Sequence, residues 1–364
     1  MFHHRFLLRA AALLLLVLPG LSPALSLRCV ATPQQLTAAF NDAMASSDSP
    51  FLIQLRQGDY VFDSDTNQLP VLNLVRPGQS IEISGGWSGS NGNCTTSSPG
   101  AGSTRLVFDS PRAMRVEVTG AGGVQFSLHD LTLTSPNQKV LVTSACLETG
   151  VATGNAATIE RLRLLQCRAA VPSVAAPSGE FSNNGGDMLL RNIVVSGGEA
   201  DYNGGMVVTT LVGGHSRLSH LSITATRATD AGAGFSGLQL ISDASSRVDL
   251  GNSVIWGNDP RPGIADFSLI GPSAHLSRVH IGRIGKENDI PAENIAPGSG
   301  DPGFIAVGDA RLRADSLLVD TGALDPAGGS GDFDVEGRAR SRGLRVDVGA
   351  YETPEDVIFR TNFD

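Results

Sequence analysis

Six stretches of the chain repeat one arrangement of apolar and polar positions: Phe126–Leu133, Ala157–Leu164, Met188–Val195, Ser216–Ile223, Val248–Ile255 and Ala274–Ile281. In each, an apolar residue is followed by a polar turn position and then by an alternating apolar pair. The last apolar positions are Leu133, Leu164, Val195, Ile223, Ile255 and Ile281, at steps of 31, 31, 28, 32 and 26 residues. Alternation over so few residues marks half-buried strands, with Leu131 and Leu133, and Leu162 and Leu164, in the inward set. Second strands such as Met206–Leu211 and Gly237–Ile241 lie between them, separated by glycine-rich turns. Each period therefore holds two or three short strands and no helix.

A unit of this kind cannot bury its apolar face alone, so successive units must stack and their strands must pair in parallel. A propeller blade would need four antiparallel strands and about forty residues, and a leucine-rich repeat would need its asparagine-centred consensus. The predicted fold is all-β, a right-handed parallel β-helix. Its open front end needs a cover. Thr32-Pro33-Gln34-Gln35 reads as a helix start, with threonine as the cap, proline in the first turn and Gln35 closing a capping box. That capping helix is expected to run to about Ser47. The strands Phe51–Leu55, Gly58–Phe62 and Ile81–Trp87 are expected to lead into the first coils.

Ahead of these elements, Arg5 and Arg9 precede the apolar run Ala10–Leu18, then Pro19, Gly20 and the small-residue exit Ala24-Leu25-Ser26. This is the order of a secretory signal peptide, with a cut expected after Ser26. The apolar run falls short of the ~20 residues needed to cross a bilayer, so no transmembrane segment is expected in the mature chain. Arg28 immediately before Cys29 argues against lipoprotein processing. The formal charge of the chain is -9, and the leader carries two arginines and no acids, so export makes the chain more acidic. With no basic cluster, nucleic acid is excluded as a partner class.

Four cysteines remain: Cys29, Cys94, Cys146 and Cys167. An even count in an oxidising compartment favours disulfides, and three pairings are possible. Stacked coils bring residues nearly one period apart close together, which favours Cys146–Cys167. Cys29–Cys94 would then pin the front cover. The alternative is four free, buried thiols.

The stretches Asn252–Asn258, Asp301–Phe304, Ser316–Gly322, Asp334–Arg338 and Val346–Glu352 resemble, in order, those of bacterial surface proteins of the choice-of-anchor Q type. The chain as a whole resembles the pectin-lyase-like right-handed β-helix proteins. The resemblance implies a secreted protein at the outer surface of a Gram-negative bacterium, lacking the C-terminal apolar anchor of many relatives. The organisation expected is a signal peptide over 1–26, cap and first coils over 27–95, coils over 96–300, a family-like segment closing the β-helix over 301–352, and a tail over 353–364. That tail resembles the aromatic-acidic C-termini of exported gammaproteobacterial proteins, and reads either as a sorting signal or as a last strand.

Pectin-lyase-like folds often host polysaccharide lyases and glycoside hydrolases. Inverting hydrolysis needs two carboxyls ~6.5–9.5 Å apart, but the chain has no Asp-Asp pair. Gly213-Gly214-His215 and Arg283-Ile284-Gly285-Lys286 only imitate the histidine and basic segments of such enzymes. The stacked turn position carries Asp130, Arg161, Asn192, His220, Asn252 and Arg278. This mixed row is expected to be a solvated ladder of turn residues, with His220 its best catalytic candidate. Asp320, Asp332, Asp334, Asp347 and Glu352 could share a calcium ion, although their spacing matches no EF-hand; the alternative is that they bond backbone groups and arginines. The function expected is a non-catalytic surface protein binding polysaccharide or another surface component. The alternative is a polysaccharide lyase or glycoside hydrolase on the same scaffold.

Overall fold

In a computed structural model, the residues described are 25–63, 69–90, 92–109, 113–136, 144–168, 177–230, 232–272, 274–285, 300–340 and 345–354. The leader to residue 24, Lys286 and the tail from residue 355 lie outside them. The chain forms a parallel β-solenoid of about six turns with one helix among the described residues. One sheet stacks the strands Gln125–Thr134, Ala156–Leu165, Asp187–Ser196, His215–Thr224, Arg247–Ile255 and Ala274–Ile281. A second, seven-stranded sheet includes Met114–Val118, Leu147–Ala152, Gly179–Asn184, Met206–Leu211, Phe235–Ser242 and Ala265–Ile270.

The register follows the sequence period. Leu133, Leu164, Val195, Ile223, Ile255 and Ile281 pair in succession through the first sheet. Leu128, Ile159, Leu190, Leu218, Leu250 and Leu276 form a second inward row. Both rows are buried, and each such side chain contributes about 1.5–3 kcal/mol of burial. Because the side-chain period of a strand is two, slipping one coil by a residue would turn its whole row outward.

The helix spans Pro33–Ala45, ending slightly before the expected Ser47. The Thr32 hydroxyl accepts from the Gln35 amide. Gln35 reaches back to the Ala31 N–H rather than to that of Thr32, so the capping box closes one residue early. Its apolar face, Leu36, Ala39, Phe40 and Ala43, packs onto the core and covers its front end. The expected leader cut after Ser26 falls inside the first strand, where Ser26 pairs with Phe51 and bonds Asp48.

Both favoured disulfides are formed, Cys29–Cys94 across 65 residues and Cys146–Cys167 across 21. Closing a longer loop removes more unfolded-chain entropy, so loss of the two bridges is expected to cost about 4 and about 3 kcal/mol respectively. Urea unfolding of the paired Cys→Ser variants checks this. Equal costs, or the opposite order, would show that native-state contacts rather than loop closure set their worth.

Candidate functional site

The six polar turn residues are not where strands end. Each strand, eight to ten residues long, runs through its polar position, which adopts positive φ: Asp130 62°, Arg161 46°, Asn192 55°, His220 53°, Asn252 45° and Arg278 54°. A left-handed residue inside a strand bends it sharply, carrying the sheet around a corner of the coil. Asn and Asp tolerate this conformation better than other L-residues, because their short side chains bond nearby backbone. For Arg161 and His220 the cost of about 1–2 kcal/mol must be met by side-chain contacts.

The expectation of a solvated ladder is overturned. Asp130, Arg161, Asn192, His220 and Asn252 are all buried. The segment after residue 300 lies along the bend at Asn192, His220 and Asn252, while Asp130 and Arg161 bind each other and the Gly100 amide bonds Asp130. Asn192 donates to the carbonyls of Ser330 and Phe333 and accepts two hydrogen bonds from the Arg340 guanidinium. Asn252 exchanges bonds with the Ala323 backbone in both directions. Its own carbonyl accepts from the Gly349 amide. Further along, the Gly100 amide donates to Asp130, and Ala101 donates to the Val335 carbonyl. Gly337 makes that last approach possible: it sits at φ 82°, and a Cβ there would lie 2.1 Å from the Pro99 carbonyl oxygen.

His220 is fully buried with both ring nitrogens engaged. Nδ1 faces the Gly349 carbonyl at 3.2 Å, so it carries the proton. Nε2 then accepts from Ser330 Oγ at 3.1 Å and from Asn252 Nδ2 at 3.2 Å. Burial and the nearby Arg340 hold its pKa well below the ordinary histidine value. This geometry fixes a neutral ring that seats the C-terminal segment, and it leaves no open approach for a substrate.

The side chains of three of the five C-terminal acids, Asp334, Asp347 and Glu352, are equally committed. Asp334 accepts from the amides of Glu336, Arg338 and Glu352. Asp347 accepts from Asp320 and Thr353. Glu352 pairs with the buried Arg340 at 3.2 Å, and Asp332 contributes its backbone carbonyl to the Arg340 amide. Burial pushes Asp347 and Glu352 upward, while Arg340 pulls both down. N–H groups aimed at these oxygens would present their hydrogens to a calcium ion, so the donor set does not suit one. Among the described residues no group of three or more His, Cys, Asp or Glu could hold a metal.

At the other end of the ladder a charged cluster reaches the surface. His129 Nδ1 lies 2.7 Å from Asp130, and Nε2 lies 3.3 Å from Glu82. Arg161 binds both oxygens of Asp130 and also Glu160, which pairs in turn with Arg191. Burial opposes the charges, but the bonds outweigh it: His129 is held up at about 9 and Asp130 down at about 2. A histidine so firmly protonated is a poor general base at neutral pH. His215 instead binds Asp249 at 2.7 Å, while Arg283 donates to the backbone carbonyls of Asn258 and Arg261.

The sequence reading missed one pair. Glu148 and Glu180 are register partners on the outer face of the second sheet, one strand spacing of about 4.8 Å apart. Arg115 binds Glu117 and lies 3.4 Å from Glu148. Burial, reinforced by the Glu148 charge, raises Glu180 to about 7 against the pull of Arg115. The 32-residue separation, close to one period, was the available signal.

Comparison of the chain with protein-family models, curated proteins and solved structures finds no match to any of them.

Two outcomes follow from the ladder. Asn192→Ala removes four side-chain bonds and strips Arg340 of a buried partner, which is expected to cost about 3 kcal/mol in urea unfolding. The exposed Asn184→Ala should stay within about 0.5 kcal/mol. Folding raises the His129 pKa above its unfolded value, so its contribution is complete below about pH 6.5 and is lost as pH rises through about 9. The shift corresponds to ~3 kcal/mol; because the Glu82 side chain is 42% exposed, about 2 kcal/mol is expected after solvent screening. His129→Gln should therefore be destabilised by that amount at pH 7 and be nearly equal to the parent at pH 10. A penalty that does not change with pH would contradict the ion-pair account.

Proposed function

We propose that the chain is an exported, non-catalytic β-solenoid that binds polysaccharide or another component of the bacterial surface. The observation that carries this reading is the commitment of the ladder and of the C-terminal acids to holding the fold together. His220, Asn192, Asn252, Asp334, Asp347 and Glu352 are engaged by internal partners. A scaffold that invests its polar groups in rigidity suits a long binding face better than a reaction centre. Two disulfides fit an oxidising compartment, and among the described residues no helix is long and apolar enough to cross a membrane. Both are compatible with secretion, and the leader-like N-terminus supports it. The outer surface of a Gram-negative cell and the choice-of-anchor Q resemblance belong to the same proposal. The fold alone fixes none of this, since a β-helix serves enzymes and inert stalks alike.

A second reading, polysaccharide cleavage, is favoured by Glu180. A carboxyl held near 7 beside a second carboxyl is the arrangement that general acid catalysis uses. Incubation with neutral and acidic polysaccharides, with and without calcium, separates the two readings. Retention on the polymer without new reducing ends or unsaturated products is the expected result. Cleavage that disappears in Glu180→Gln would replace the binding reading with the enzymatic one.

A further inference from the structure

Beside the covered ladder, four of the six bent strands lead on to another left-handed corner, at Gln166, Gly197, Ala225 and Gly257. Here the C-terminal segment does not lie flat on the coils. Its short hairpin of Phe304–Ala306 and Asp309–Leu312 stands beside them, leaving an open groove of about 560 Å³. Thr132, Thr134, Leu165, Ser196 and Ala225 line its floor, and Val307, Gly308 and Asp309 form one wall. The Ser196 hydroxyl donates to the Gly308 carbonyl and fixes the wall in place. These floor residues come from four successive coils, so the groove runs along the solenoid axis for roughly 15 Å at one strand spacing per coil.

The charges at the groove are already matched. Arg105 binds Asp59 through two bonds, and Asp309 binds Arg311 in the same way. The Thr132 and Ser196 hydroxyls donate to the Ala101 and Gly308 carbonyls, so what remains for a ligand is the exposed Gln166 side-chain amide and the apolar patches of Leu165, Ala225 and Val307. A ligand suited to this surface is elongated, uncharged, rich in hydroxyls and carries C–H faces. A charged polymer would have to displace one of the ion pairs.

We infer that this groove binds a neutral linear glycan lying along the solenoid axis. The inference rests on the polysaccharide-binding reading and deepens it by naming the site and the class of sugar. Gln166 supplies hydrogen bonds from the rim, and Ala225 leaves the floor low enough for a pyranose ring to settle.

Calorimetric titration of the purified chain with cellohexaose, mannohexaose and xylohexaose, and with hexagalacturonate as the charged counterpart, tests it. At least one neutral hexasaccharide should bind, and hexagalacturonate more weakly. Gln166→Ala should weaken the neutral ligand about tenfold, the equivalent of one hydrogen bond, and Ala225→Phe should abolish binding by filling the floor. Unchanged thermal unfolding of Gln166→Ala keeps that result interpretable if Ala225→Phe fails to fold. Neutral-sugar binding that persists in the groove variants overturns this site and leaves the general reading standing. Preference for hexagalacturonate overturns the ligand class. Failure to bind any of the four overturns the inference, and retention on polymers in the separate assay then decides whether the wider reading survives.

Discussion

At one position in each of six successive coils an L-residue sits at positive φ, and most of the architecture follows from that backbone constraint. The bend keeps inward rows on both sides of the corner facing one core: Leu128, Ile159 and Leu190 before it, Leu133, Leu164 and Val195 after it. It also stacks polar side chains outward at the spacing of parallel strands. Such a row is costly if buried without partners. The segment after residue 300 supplies the partners of Asn192, His220 and Asn252, and in doing so gains an anchoring surface for a stretch of chain with little regular secondary structure of its own.

The buried polar seam explains the unusual burial of charge. Arg340 is enclosed with Asn192, Glu352 and the carbonyls of Gly349 and Tyr351. At the opposite end, Asp130 is satisfied by Arg161, His129 and the Gly100 amide. Small apolar clusters flank this seam, one around Val335, Ala350 and Tyr351, another around Val254, Leu312, Leu318 and Val348. Hydrogen bonds set the register of the covering segment, while these clusters supply its apolar burial. Where the segment stands away from the coils, at Val307-Gly308-Asp309, it leaves open the groove proposed for a glycan.

The period, the inward rows, the front helix and the Cys146–Cys167 pairing were legible because each is written in spacing of one coil or less, and Cys29–Cys94 followed as the remaining pair. Thr32 and Pro33 start a helix whatever lies around them, and a 31-residue step places Leu133 on Leu164 in any stacked model. The state of the ladder was not legible. Asn192 meets Ser330 and Arg340 across 138 and 148 residues, and no local pattern announces such contacts. A polar residue between apolar runs reads as an exposed turn, and only the covering segment makes it a buried bend. Likewise, Glu148 and Glu180 are partners in the second sheet, whose strands alternate in burial but place polar residues such as Thr149 and Asn183 inward, so their sequences carry a weaker apolar pattern.

Hydrogen exchange read residue by residue tests most directly the claim that the covering segment is integral to the solenoid. The Gly349 amide, bonded to the Asn252 carbonyl, and the Ala323 amide, bonded to its side chain, should exchange only through the same global opening as the Leu164 and Val195 amides of the coils. Exchange of Gly349 and Ala323 orders of magnitude faster than those strands would show the segment to be a loose appendage, and the ladder beneath it to be solvated.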